Sequence, residues 1–149
     1  RTPSATQVRA LILGEHGDSM IPAWSSAAVN GLPLAGLPNC NAGVQNKIFG
    51  RTRTSGAEVI KRKGGAGWAV AIAIRDVIHA IALDQQSLLP VSSLQNGCYG
   101  VRDICLSVPT VIGKGGVQKH VEIELWPKEK LGIQKSAKSL KETLSKVNV

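Results

Sequence analysis

The chain has 149 residues, 43% of them hydrophobic, which is enough for one domain with a real core. No apolar run approaches the about eighteen residues of a membrane span, so no membrane partner is expected. Its 18 Lys and Arg against 10 Asp and Glu leave a net charge of +8, but the cations are dispersed and the three Trp, one Tyr and one Phe are too few for a base-stacking platform, so no nucleic-acid partner is expected either.

Three cysteines, Cys40, Cys98 and Cys105, are an odd number without metal-ligand spacing. They read as free thiols in a reducing compartment, which predicts a cytoplasmic protein with no metal site. The first residues, Arg1-Thr2-Pro3-Ser4-Ala5, carry neither an initiator methionine nor a signal peptide, and the chain is expected to be a fragment.

In chain order, the short branched run Val8 to Leu13 predicts a buried strand, followed by Gly14-Glu15-His16-Gly17-Asp18-Ser19. Two glycines bracket a histidine with an acidic residue on either side. Such a loop can hold an imidazole at a strand's end, where flanking carboxylates favour its protonated form, as a proton donor and acceptor requires. A plain polar turn is the alternative. Residues 21–29 and 32–34 predict two antiparallel strands around the hairpin turn Asn30-Gly31, and 37–43 a surface loop.

From Val44 the apolar spacing is helical, with Gly50 and Gly56 weakening that helix by ~1 kcal/mol each, so close packing against another element is expected there. Gly64-Gly65-Ala66-Gly67 interrupts it. A second helix over about 68–83 is apolar nearly all round, a pattern that belongs in the centre of a core. Strands follow over 88–94 and 104–112, parted by Gln95-Asn96-Gly97. After the turn Lys114-Gly115-Gly116, the alternation Val121-Glu122-Ile123-Glu124-Leu125 predicts a half-exposed strand. Pro127 opens a closing helix whose Ile133, Ala137, Leu140, Leu144 and Val147 form one apolar stripe. The element order is α+β: antiparallel sheet and hairpins packed on a central buried helix, with a long C-terminal helix.

Other chemistries fit poorly. Neither glycine cluster completes G-x-x-x-x-G-K-[ST], and G-x-G-x-x-G after a first strand is absent. Ser19 and Ser25 lie near His16 without a G-x-S-x-G elbow, which argues against a hydrolase triad. His79 and His120 lack ligand-spaced partners and read as surface or satisfied core residues.

The histidine loop with Pro22-Ala23-Trp24-Ser25, then Glu58-Val59-Ile60-Lys61-Arg62-Lys63-Gly64, Gly97-Cys98-Tyr99-Gly100 and Leu106-Ser107-Val108-Pro109, resembles the C-terminal, substrate-binding domain of the lactate/malate dehydrogenase family over nearly the whole chain. The resemblance implies that residues 1–149 form a single substrate-binding and catalytic domain, with the N-terminal dinucleotide-binding domain absent. His16 would be the catalytic proton donor to a 2-keto acid while NAD, in its reduced form, delivers hydride. Ala57 and Ala66 would lie at the substrate pocket, where lactate enzymes often carry a tyrosine and a threonine. Val70 would pack on the nicotinamide. Arg9, seven positions before His16, holds the spacing of a basic residue that binds an effector phosphate in bacterial relatives, an exposed strand-end arginine being the alternative.

The resemblance also implies a homo-oligomer, dimer or tetramer. Glu15, Trp24-Ser25 and the 106–109 motif favour L-lactate dehydrogenase, converting pyruvate and NADH to L-lactate and NAD, whereas Ala57, Ala66 and Arg51-Thr52-Arg53 lean toward a malate enzyme of the lactate-dehydrogenase-like type. A non-catalytic descendant is the third possibility. The aspartate and arginines that would work with His16 lie upstream in the family, so the fragment alone is expected to be inactive.

Overall fold

The computed structural model describes residues 4–147. Its architecture is α+β, as the element order predicts, with three α-helices and three small sheets among the described residues. Two compact units emerge: residues 4–40, 90–109 and 120–147 form the first, and 41–89 with 110–119 the second.

In the first unit the run after Val8 is two strands, not one. β1 (Val8–Arg9) is exposed and pairs with β4 (Ala28–Val29), while β2 (Ile12–Leu13) runs into the core and pairs antiparallel with β3 (Ile21–Pro22). The expected strand over 21–29 is likewise broken, by a 3-10 turn at Trp24–Ser26. The Asn30-Gly31 turn forms as read: both residues have positive φ (49° and 86°), the twist a two-residue hairpin demands, and they join β4 to β5 (Leu32–Pro33).

β6 (Ser87–Asn96), β7 (Arg102–Gly113) and β8 (Gly116–His120) make the third sheet in that order and contribute residues to both units. The strand expected at 121–125 is absent. That segment alternates in burial but is tied by a side chain instead of a ladder. Ile123 N–H donates to Tyr99 Oη at 2.8 Å, the Tyr99 hydroxyl donates back to Ile123 O at 3.2 Å, and Tyr99 N–H donates to the Glu122 carboxylate at 2.6 Å. With its amide and carbonyl both satisfied by one phenol, Ile123 has nothing left for a neighbouring strand.

α3 (Pro127–Leu144) begins at the predicted proline, and its stripe buries Ile133 and Ala137 against Leu13, Ile21, Leu106 and Val108. Leu144, at the far end of the stripe, is exposed. The N-terminal turn of α3 is closed by buried Glu129, whose carboxylate accepts Trp126 N–H at 3.0 Å and Ser25 N–H at 3.2 Å.

The second unit holds α1 (Ala42–Lys63) and α2 (Gly67–Ala82). Asn41 caps α1 by accepting Val44 N–H at 3.0 Å, and Gly64, at φ 74°, ends it with its N–H on Ile60 O at 2.8 Å. Two expectations are corrected here. A Cβ at Gly50 or Gly56 would meet open space, so close packing within this chain does not account for them. And α2 is not a buried spine: of its residues only Ala80 is buried, while Ile72, Ile74 and Ile78 are more than half exposed. A helix apolar on every side needs neighbours on every side, and this chain supplies them at one position.

Candidate functional site

Strands β2 and β3 pair Leu13 with Ile21, so residues 14–20 are the loop of a hairpin and His16 stands near its tip. Gly14 starts the loop at φ 86° and exchanges both backbone hydrogen bonds with Ser107 of β7, at 2.8 and 2.9 Å. A side chain there would overlap Ile21 and put its Cβ 2.9 Å from Ser136 Oγ, so glycine is required for space as well as for backbone conformation.

The next residues are held from α3. Glu15 N–H donates to Ser136 Oγ at 2.7 Å, and the Ser19 hydroxyl lies 3.1 Å from the same oxygen. Ser19 also donates to the Glu15 carboxylate. Met20 N–H closes the loop on Gly17 O at 3.2 Å.

His16 itself is exposed, and no other described residue holds it by hydrogen bond or ion pair. It borders a cleft of ≈ 280 Å³ together with Glu15, Ile12, Pro90, Ser92 and Ser107. The arrangement is a fixed backbone presenting a free imidazole to an open cleft, chemically suited to passing a proton to a small molecule.

The other expected positions fall as follows. Arg9 is exposed on β1 and its guanidinium donates to the backbone carbonyls of Thr6 (3.2 Å) and Val8 (3.4 Å). Ala57 is exposed on α1, Ala66 is half-buried as the residue before α2, and Val70 is 51% exposed in the first turns of α2, all three in the second unit. His120 is satisfied by Ser93 Oγ at 2.9 Å. Among the described residues no three His, Cys, Asp or Glu side chains gather as a metal-holding group, and no helix is long and apolar enough to cross a membrane. Cys98 and Cys105 are free thiols; burial, reinforced by the Glu122 charge, pushes the Cys98 thiol up to about 11, and burial pushes the neighbouring Tyr99 phenol up to about 12.

Sequence reasoning missed Ser136 and Glu129, and named Ser107 only as part of a motif, without its contact to Gly14. Ser136 carried the one available signal, a hydroxyl three residues after Ile133 on the apolar stripe of a helix, where a buried polar group must have partners.

Residues 2–148 match the family model described as the lactate/malate dehydrogenase, alpha/beta C-terminal domain. The chain belongs to the lactate/malate dehydrogenase family. It is 36% identical to an L-lactate dehydrogenase of Acetivibrio thermocellus over 97% of its own length and 47% of that protein's. It is 43% identical to a malate dehydrogenase of Staphylococcus saprophyticus over 93% of its own length and 45% of that protein's. Among solved structures, the minor L-lactate dehydrogenase from Enterococcus mundtii in its ligands-bound form superposes with a TM-score of 0.91 at 29% identity, covering 98% of this chain and 48% of that one. The chain thus spans about half the length of the relatives it matches.

Proposed function

We propose that this chain is the catalytic, C-terminal part of an NAD-dependent dehydrogenase of small 2-hydroxy acids, with L-lactate and pyruvate as the preferred pair. The observation that carries the reading is the exposed His16, presented at an open cleft by a loop whose backbone is pinned on both sides of it. Histidine is the side chain that both gives and takes a proton near neutral pH. In reduction, His16 gives its proton to the keto oxygen of pyruvate, and in oxidation it takes the hydroxyl proton of lactate back. The nicotinamide, when bound, supplies the hydride to the carbonyl carbon, so that pyruvate, NADH and one proton become lactate and NAD.

Residues of the second unit fit such a cofactor: Val70 offers a half-exposed branched apolar side chain of the kind that lies against a flat ring, and Ala66 would border the substrate. Arg9, exposed and donating to the carbonyls of Thr6 and Val8, would turn to an effector phosphate. The reading assigns the dinucleotide-binding half, the aspartate that orients His16 and the arginine that clamps the substrate carboxylate to a separate N-terminal part. The 149 residues alone are therefore expected to show no turnover. A homo-oligomer belongs to the same reading, since the exposed isoleucines of α2 are the type of surface a partner covers.

The second reading, a malate dehydrogenase, is favoured by the 43% identity to a relative of that name. The full-length gene product, assayed with NADH, should have a larger kcat/KM for pyruvate than for oxaloacetate; the reverse order would select the malate reading. His16→Asn should lower kcat by about 10²–10⁴-fold with either substrate, and wild-type turnover in that variant would end both readings.

A further inference from the structure

We infer that Ser136 is the positioning residue of the histidine loop, reaching His16 through the backbone of Glu15; this rests on the reading of His16 as proton donor. Ser136 is fully buried on α3, between Ile133 and Ala137, which pack into the core. It lies 121 residues from Glu15 in sequence, yet its Oγ accepts Glu15 N–H at 2.7 Å, one residue before the imidazole.

The Ser136 hydroxyl serves two residues of the loop at once. Ser19 has one hydroxyl proton, and the Glu15 carboxylate, an acceptor, takes it. The same Ser19 hydroxyl is shared with Ser136 Oγ at 3.1 Å. Ser136 Oγ accepts from the backbone of residue 15 and from the Ser19 hydroxyl, closing a ring through the Glu15 side chain. Gly14 gives α3 the room to come this close, since a Cβ there would lie 3.3 Å from Ser136 Cβ. With residue 14 bonded to Ser107 and residues 15 and 19 bonded to Ser136, residues 16–18 are left as a short span between fixed points. A misplacement of a reacting group by about 1 Å can cost on the order of 10²-fold in rate, so this tether sets the geometry that the proton transfer needs.

The test uses Ser136→Ala, with Ser139→Ala on the same helix as control and His16→Asn as the reference for lost chemistry. In this chain, amide exchange of Glu15 should quicken by about tenfold in Ser136→Ala and stay unchanged in Ser139→Ala, while exchange in β7 is unaffected. In the full-length gene product Ser136→Ala should lower kcat by about tenfold, with the KM for pyruvate moving less. If His16→Asn abolishes turnover but Ser136→Ala keeps wild-type kcat, Ser136 is structural and the inference is overturned, whatever the exchange shows. If Ser136→Ala lowers kcat but Glu15 exchange is unchanged, the tether is not the cause and the inference is again overturned. If His16→Asn keeps turnover, the functional reading fails first and the positioning role with it.

Discussion

The two units close their apolar surface to very different degrees. The first buries Leu13, Leu106, Val108 and Ile133 almost completely and builds the histidine loop on that core. The second carries the most apolar helix of the chain, α2, and leaves Val70, Ile72, Ile74 and Ile78 about half exposed. Apolar side chains therefore end differently: in the first unit they are buried in the chain's own core, and in the second those of α2 stay exposed.

The comparison predicts unequal costs for equal truncations. Ile133→Ala in the first unit should lower the stability of the chain by about 2–5 kcal/mol in denaturant unfolding, while Ile78→Ala in the second should change it by less than about 0.5 kcal/mol. Similar losses at the two positions would erase the distinction.

A pH signature should also belong to the first unit. Folding raises the Cys98 thiol from an ordinary 9.0 to about 11 and the Tyr99 phenol from 10.0 to about 12. Above the ordinary values the unfolded chain has released these protons and the folded one still holds them, so stability is fully present below about pH 9 and falls as pH rises through 11 and 12. Tyr99→Phe removes one of the two groups and should flatten that decline, at the expense of lower stability at neutral pH because Ile123 loses its partner. A melting temperature independent of pH between 9 and 12 in the unmodified chain would contradict this assignment.

The smallest effect has the opposite sign. Gly56→Ala on the exposed helix α1 should stabilise the chain by ~1 kcal/mol, because the added methyl meets nothing and the unfolded state loses freedom. Destabilisation there would mean that α1 is covered even in the isolated chain.

Much of the fold was legible from short-range rules. Asn30-Gly31 announces a two-residue hairpin, Pro127 starts a helix, Gly64 ends one, and Gly14 and Gly17 mark the loop that carries His16. What misled was pattern without partner. Alternation at 121–125 looks like a strand, but the Tyr99 hydroxyl takes both backbone groups of Ile123. Apolarity all round α2 looks like a buried spine, but burial depends on what stands opposite, and only Ala80 meets enough of it.

By itself, then, the sequence determined the local turns that frame His16, because glycine placement, capping and hydrophobic period act over a few residues. Tertiary structure alone decided what holds the backbone before it: Ser107 on β7 and Ser136 on α3 reach Gly14 and Glu15 from far along the chain. A hydroxyl among aliphatic neighbours acquires a role only when the packed helix brings a specific amide within hydrogen-bond distance, and that meeting is a property of the assembled core.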